Sequence, residues 1–141
     1  MKKLLLLLVA ALGIGCSSVK LVSTTKGVYK VENSLSKHEN YVLANELMVA
    51  KFVSAEDVIQ FSDIKSGTIV AKYRVSYLGE GNFWKSDPAG SVYAILTIRA
   101  TDNGAQIEIQ ATSSIPSWGV NSALFNMKAL SLSIQSSMNN A

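Results

Sequence analysis

Three stretches of this chain alternate between apolar and polar residues with a period of two, and that pattern constrains the fold more than any other feature. From Thr68 to Tyr77, the residues Ile69, Ala71, Tyr73, Val75 and Tyr77 fall on one side. Thr68, Lys72, Arg74 and Ser76 fall on the other, with Val70 as the exception. Val92, Ala94, Leu96, Ile98 and Ala100 mark the inner side of a second stretch, and Ile107, Ile109 and Ala111 that of a third. Successive side chains of a strand point to opposite faces, so each run reads as a strand with one buried face. Asp102-Asn103-Gly104 joins the second run to the third. It predicts a tight hairpin, because Asn and Gly tolerate the positive φ that such turns need.

A sheet with one dry face needs a layer to cover it, and two helical patterns supply one. Ser36 with Glu39 three residues later forms a capping-box pattern, and residues 37–53 contain no Gly or Pro. At 100° per residue Tyr41, Ala44, Met48 and Phe52 share one arc. Leu43, Leu47 and Ala50 form a second arc, so this helix is expected to touch two neighbours. From Ser122 to Asn139 a closing helix places Ala123, Met127, Leu130, Ile134 and Met138 in one arc, with Phe125 and Leu132 off it. The off-arc residues of the two helices are expected to meet across the sheet. Gly27 to Glu32 and Val58 to Ser62 read as further strands, the second followed by a turn at residues 63–67. Loops are expected from Leu78 to Gly90, around Phe83-Trp84, and from Thr112 to Asn121, around Pro116 and Trp118. The order β-α-β-β-β-β-α predicts an α+β domain, an antiparallel sheet of about five strands with two helices on one face.

The first residues carry a different message. Met1-Lys2-Lys3 is a positive start, Leu4 to Leu12 is unbroken apolar sequence, and Gly13-Ile14-Gly15 leads into Cys16. That apolar run is too short to span about 30 Å of hydrocarbon, and its layout is that of a secretory signal. The small Gly15 before a cysteine resembles the lipobox of bacterial lipoproteins, although Gly13 stands where leucine is usual and Leu12 precedes it. The resemblance implies cleavage before Cys16 and a diacylglycerol joined to its sulfur. The alternative is a plain secretory signal with a spare thiol at Cys16, which would be an oxidation hazard outside the cell. Ser17 follows, where an aspartate would resemble a retention signal for the inner membrane, so the resemblance implies the outer membrane in a cell that has two. The expected organisation is a signal peptide over 1–15, a lipidated N-terminus and polar tether over 16–26, and one domain over 27–141. The tether of ten residues from Ser17 to Lys26 would span roughly 18 Å.

Charge argues against nucleic acid as a partner. The chain has 13 basic and 10 acidic residues, and removal of Lys2 and Lys3 with the signal leaves 11 against 10. A nearly neutral domain lacks the electrostatic footprint of a phosphate-backbone binder.

The element order, with the run Asp63-x-x-x-Gly67-x-Ile69 between two strands after a helix, resembles a family of uncharacterised bacterial lipoproteins. That family is known as domain of unknown function 4468 and has a TATA-box-binding-protein-like fold. The resemblance covers roughly residues 27–111 and is best from Tyr41 to Val75. It implies a fold and a cell-envelope setting. It implies no activity, and the DNA-binding role of the eponymous protein does not follow, because function resides in sites and not in folds.

No catalytic pattern emerges from the residue types. A Ser-His-Asp triad needs a histidine as base, and the one histidine, His38, lies in the expected first turn of a helix between Lys37 and Glu39. A transition-metal site needs several His, Cys or carboxylate ligands, which one histidine and one lipidated cysteine do not supply. Glu56-Asp57 reads as a solubilising pair in a turn, and Gly79-Glu80-Gly81 is too short for a phosphate loop. No metal and no cofactor is expected.

What remains is surface. With helices on one sheet face, the other is expected to show Val70, Lys72 and Arg74 on one strand and Tyr93, Ile95, Thr97 and Arg99 on the next. Tyr and Arg are enriched at interfaces, although ordinary cross-strand pairs would also account for such a face. Phe83 and Trp84 are a second candidate, either projecting as an anchor or folding back over a core edge. The expectation is a membrane-anchored envelope lipoprotein with a non-catalytic binding or adaptor domain, its partner a protein, a glycan or a second copy. The alternatives are a structural subunit of an envelope assembly and an enzyme with an unrecognised carboxylate site.

Overall fold

The computed structural model describes residues 21–22, 26–78 and 90–141. In chain order the elements are β1 (Leu21–Val22), β2 (Lys26–Glu32), α1 (Lys37–Lys51), α2 (Ala55–Val58), β3 (Ile59–Asp63), β4 (Thr68–Tyr77), β5 (Gly90–Thr101), β6 (Gly104–Ala111), β7 (Ile115–Pro116), a 3₁₀ turn (Ser117–Gly119) and α3 (Val120–Asn139). Five of the strands form one antiparallel sheet in the spatial order β2-β6-β5-β4-β3. β5 is therefore central.

The alternation in the sequence becomes the two faces of that sheet. Leu96 lies opposite Ala71 and Ile109, and Ile98 lies opposite Ile69 and Ile107; all of them are buried. Tyr41, Ala44 and Met48 of α1 and Ala123, Met127, Ile134 and Met138 of α3 close over them. Fully burying a side chain of this size contributes roughly 1.5–3 kcal/mol, so this layer is the source of the domain's stability. The expected single core with helices on one face is what is found.

Local signals account for the element boundaries. Ser36 Oγ accepts the backbone N–H of Glu39, and the Glu39 carboxylate accepts the Ser36 N–H at 2.8 Å, so the capping box at the start of α1 is complete. The Ser36 hydroxyl also donates to that carboxylate at 2.7 Å, and this bond, with the one from the Ser36 N–H, holds the Glu39 carboxyl below its ordinary value. At the other turn Asp63 accepts N–H groups of Lys65 and Ser66 at 3.1 and 3.0 Å. Gly67 follows at φ 72°, where an added Cβ would meet the Ala100 carbonyl oxygen at 2.9 Å. The spacing Asp63-x-x-x-Gly67-x-Ile69 is thus a turn that demands an acceptor and a glycine, then delivers Ile69 to the core. Asn103 adopts φ 67° in the β5–β6 hairpin.

The structure differs from the sequence reading in several places, among them Lys26, placed at the end of the tether but paired with Gln110 as the first residue of β2. Leu21 and Val22, read as part of a tether, pair with Pro116 and Ile115 in a separate two-stranded sheet. A pairing of two residues is too short to leave a period in the sequence. Glu56 and Asp57, read as a turn, sit in the helical turn α2. The segment read as a loop from Thr112 to Asn121 contains β7 and the 3₁₀ turn, and α3 begins at Val120 instead of Ser122. β5 begins at Gly90, two residues before the apolar alternation shows it. Phe125 and Leu132 do not meet α1: both are exposed, whereas Leu43 and Leu47 pack against the core and Ala50 is exposed. At 100° per residue, Phe125 lies about 200° round from Ala123, which turns it away from the sheet.

Candidate interaction face

The outer face of the sheet is built by the cross-strand register. One row runs Phe61, Val70, Thr97, Glu108, Val28 across β3, β4, β5, β6 and β2. The next runs Lys72, Ile95, Gln110, Lys26, and beyond it Arg74 stands opposite Tyr93. On the far side Thr68, Arg99, Gln106 and Lys30 make a third row. Among the described residues no helix covers these rows; α1 and α3 lie on the opposite side.

Tyr93 and Phe61 are each 51% exposed, and Val28 and Ile95 are exposed as well. Thr97, expected on the open surface, is buried. It stands on the central strand with Val70 on one side and Glu108 on the other, and those neighbours close over its short side chain. Phe61 and Val28 extend the face on both flanks, and the sequence reading did not place them there. The β3 run is short and irregular, with a register shift between Ile59 and Phe61. That shift changes which of its residues points outward.

Cations dominate the charge of this face. Lys26 Nζ lies 2.8 Å and Arg99 Nη1 3.5 Å from the two oxygens of Glu108. The hydrogen bond from Lys26 holds the Glu108 carboxyl below its ordinary value, aided by the charges of Lys26 and Arg99. Lys72 Nζ sits 4.8 Å from the centroid of the Tyr93 ring, a cation–π distance. Arg74 and Lys30 have no ion-pair partner among the described residues. Arg74, Lys72, Tyr93 and Ile95 thus form one contiguous patch, and Arg99 belongs to a neighbouring cluster already paired. Phe83 and Trp84, and likewise Cys16, lie outside the described residues.

The remaining surface has fewer converging groups. An open depression of about 470 Å³ beside α1 is lined by Tyr41, Val42, Asn45, Glu46, Val49 and Ala50. The Tyr41 hydroxyl is engaged there with Ser62 Oγ at 2.5 Å. His38 is exposed in the first turn of α1. Among the described residues no group of three or more His, Cys, Asp or Glu is placed to hold a metal ion, and no helix is long and apolar enough to cross a membrane.

One buried polar residue that the sequence did not reveal is Asn40. Fully enclosed, it donates to the carbonyls of Leu35 and Thr101, both at 3.1 Å, and accepts from Asn33 Nδ2 at 2.7 Å. Asn33 also donates to the carbonyl of Met138. The network ties the start of α1 to the end of β5 and the last turn of α3. Its role is structural, and only its position near a helix N-terminus hinted at it.

The five-stranded antiparallel sheet with helices on one face is a TATA-box-binding-protein-like α+β fold. Among solved structures the chain is similar to a TBP-like protein from Parabacteroides distasonis, with a TM-score of 0.61 and 15% identity over 84% of this chain and 93% of that one. It is also similar to a DUF4468 family protein from Bacteroides ovatus, with a TM-score of 0.50 and 13% identity over 86% of this chain and 85% of that one. At such identities the likeness is one of fold. No protein-family model and no curated protein matches the sequence.

Proposed function

We propose that this chain is a lipid-anchored envelope protein whose domain binds a partner protein through the outer face of the sheet and performs no catalysis. The observation that carries the reading is the patch of Lys72, Arg74, Tyr93 and Ile95. Exposed aromatic and aliphatic groups stand there beside cations that no carboxylate neutralises among the described residues. Such a patch suits a partner that presents carboxylates around an apolar centre, since buried contacts hold a complex and complementary charge guides it together. The anchor is the lipid on Cys16, with the outer membrane as its site in a cell that has two. An envelope address separates the domain from nucleic acid.

Replacing Arg74 and Arg99 by alanine tests the reading. Among the described residues Arg74 makes no ion pair and Arg99 shares Glu108, so association in cross-linked intact cells is expected to weaken at least about tenfold, the equivalent of about 1.4 kcal/mol. The melting temperature is expected to stay nearly constant. Unchanged association, or unfolding of the doubly substituted domain, would contradict the reading. A constant stoichiometry with one obligate partner would favour instead a structural subunit of an envelope assembly. Mass spectrometry of the natural product tests the anchor separately: acyl chains on Cys16 support it, and a free thiol or a retained leader contradicts it.

A further inference from the structure

α3 presents an unusual face to its surroundings. Its twenty residues carry one charged side chain, Lys128, and no carboxylate. The side turned away from the sheet shows Phe125 (71% exposed), Ala129 and Leu132 (42%) at i, i+4, i+7, with Leu124 (37%) and Lys128 beside them. A helix that faces water ordinarily carries charged residues opposite its core stripe. Its neighbour α1 does so, with exposed Glu39 and Glu46.

β1 indicates what the stripe faces. Its pairing with β7 sets Leu21 beside Pro116, and the chain passes from there through one 3₁₀ turn directly into α3. Cys16 lies five positions before Leu21, a reach of at most about 18 Å when fully extended. A lipid on Cys16 would therefore hold the beginning of α3 close to the bilayer. With about 30 Å of length, α3 could lie along that surface.

We infer that the outward face of α3 rests on the bilayer to which Cys16 is anchored, with Phe125 and Leu132 at the boundary of headgroups and acyl chains. Lys128 stands beside the stripe, where anionic phosphates would meet it. Helices lying in the membrane interface bury their apolar side chains roughly 5–10 Å deep and gain from nearby cations. The inference rests on the lipid-anchor reading. A second copy of the chain fits the stripe less well. The exposed parts of its three large side chains offer on the order of 300 Å², against about 800 Å² per partner in a stable interface. A bilayer contact needs no such area, because the anchor already makes it an intramolecular event. With α3 on the membrane, the opposite side of the sheet, carrying Arg74 and Tyr93, would point outward to partners.

The test uses the full-length acylated protein in vesicles of phosphatidylethanolamine and phosphatidylglycerol. The chain contains no cysteine besides Cys16, so with that sulfur acylated an introduced cysteine is the one reactive thiol. A fluorophore at Ala129→Cys is expected to be quenched by spin-labelled lipid several-fold more than the same fluorophore at the exposed Gln110→Cys on the outer sheet face. Adding Phe125→Ser and Leu132→Ser should bring the first close to the second. Protein that floats with the vesicles but quenches equally at both positions overturns the inference and leaves the anchor intact. Disulfide-linked dimers of unlabelled Ala129→Cys without lipid quenching assign the stripe to a second copy, which also overturns it. Protein that does not float and carries a free Cys16 overturns the anchor and the inference together.

Discussion

On the inner face of β5, Val92, Ala94, Leu96, Ile98 and Ala100 are all buried, whereas on its outer face Ser91, Tyr93, Ile95 and Arg99 are exposed and only Thr97 is covered. The two sets interleave in the chain and differ in what holds them in place. The inner residues are fixed by volume, because α1 and α3 leave no room beside them. Among the described residues the outer ones stand against their cross-strand neighbours with no helix over them, so they can be polar, aromatic or charged without harm to the fold. That freedom is where binding chemistry can reside at little cost in stability.

The comparison is sharpest at adjacent positions. Leu96→Ala should lower the unfolding free energy by about 2–5 kcal/mol, since it empties a fully buried site. Ile95→Ala should lower it by less than about 1 kcal/mol. Urea denaturation of the two variants measures both; equal losses would mean that the outer face is as tightly packed as the inner one. Next in size is Asn40→Ala, which strips partners from Asn33 and from the carbonyls of Leu35 and Thr101. Each buried group left unsatisfied costs roughly 1–3 kcal/mol. Faster amide exchange at the β5–β6 hairpin and at the end of α3 should accompany that loss.

A smaller effect has the opposite sign. The Tyr73 hydroxyl is buried with no hydrogen-bond partner among the described residues, and burial pushes its pKa up. Its ring stacks at a tilt against Phe52, with centroids 5.4 Å apart, a contact that phenylalanine would keep. Tyr73→Phe should therefore leave stability unchanged or raise it by up to about 1 kcal/mol. A clear destabilisation would mean that the hydroxyl has a partner.

The smallest effect belongs to the outer face. The Glu108 carboxyl is held below its ordinary value of 4.5 by the hydrogen bond from Lys26 and the charges of Lys26 and Arg99. A carboxylate depressed in this way stabilises the fold above its unfolded pKa, and that contribution disappears as pH falls through the folded one. Stability should thus decline as pH drops below about 4.5, and Glu108→Gln should flatten part of that decline. Partial exposure keeps the contribution within about 1 kcal/mol. An acid titration followed by chemical denaturation separates the two proteins.

Much of the inner face was legible in the sequence because it obeys a period. Leu96, Ile98, Ile107 and Ile109 recur every second residue, and Ala44, Met48, Ala123 and Met127 share helical arcs, so burial follows from spacing. The turns were legible for a different reason: Asn103 and Gly67 occupy backbone conformations that few residues tolerate. Features without a period or a conformational demand were missed. Leu21–Val22 pairs over two residues only, Phe61 is turned outward by a register shift, and Asn40 is a polar residue accepted into the core by three specific partners. The outer patch was half legible. Alternation assigned Lys72, Arg74, Tyr93 and Ile95 to one face, but the engagement of Arg99 with Glu108 depends on pairing between β5 and β6. The contribution of Val28 depends on β2 lying beside β6. Both are decided by sheet order, which one sequence does not display.

The most direct test of the outer face is photo-crosslinking in intact cells, with a benzophenone side chain replacing Ile95 and, as control, Ser136, exposed on α3. A discrete adduct with another protein is predicted at Ile95, absent at Ser136 and abolished by Arg74→Ala with Lys72→Ala. No adduct at Ile95, or one indifferent to the loss of both cations, would contradict the account.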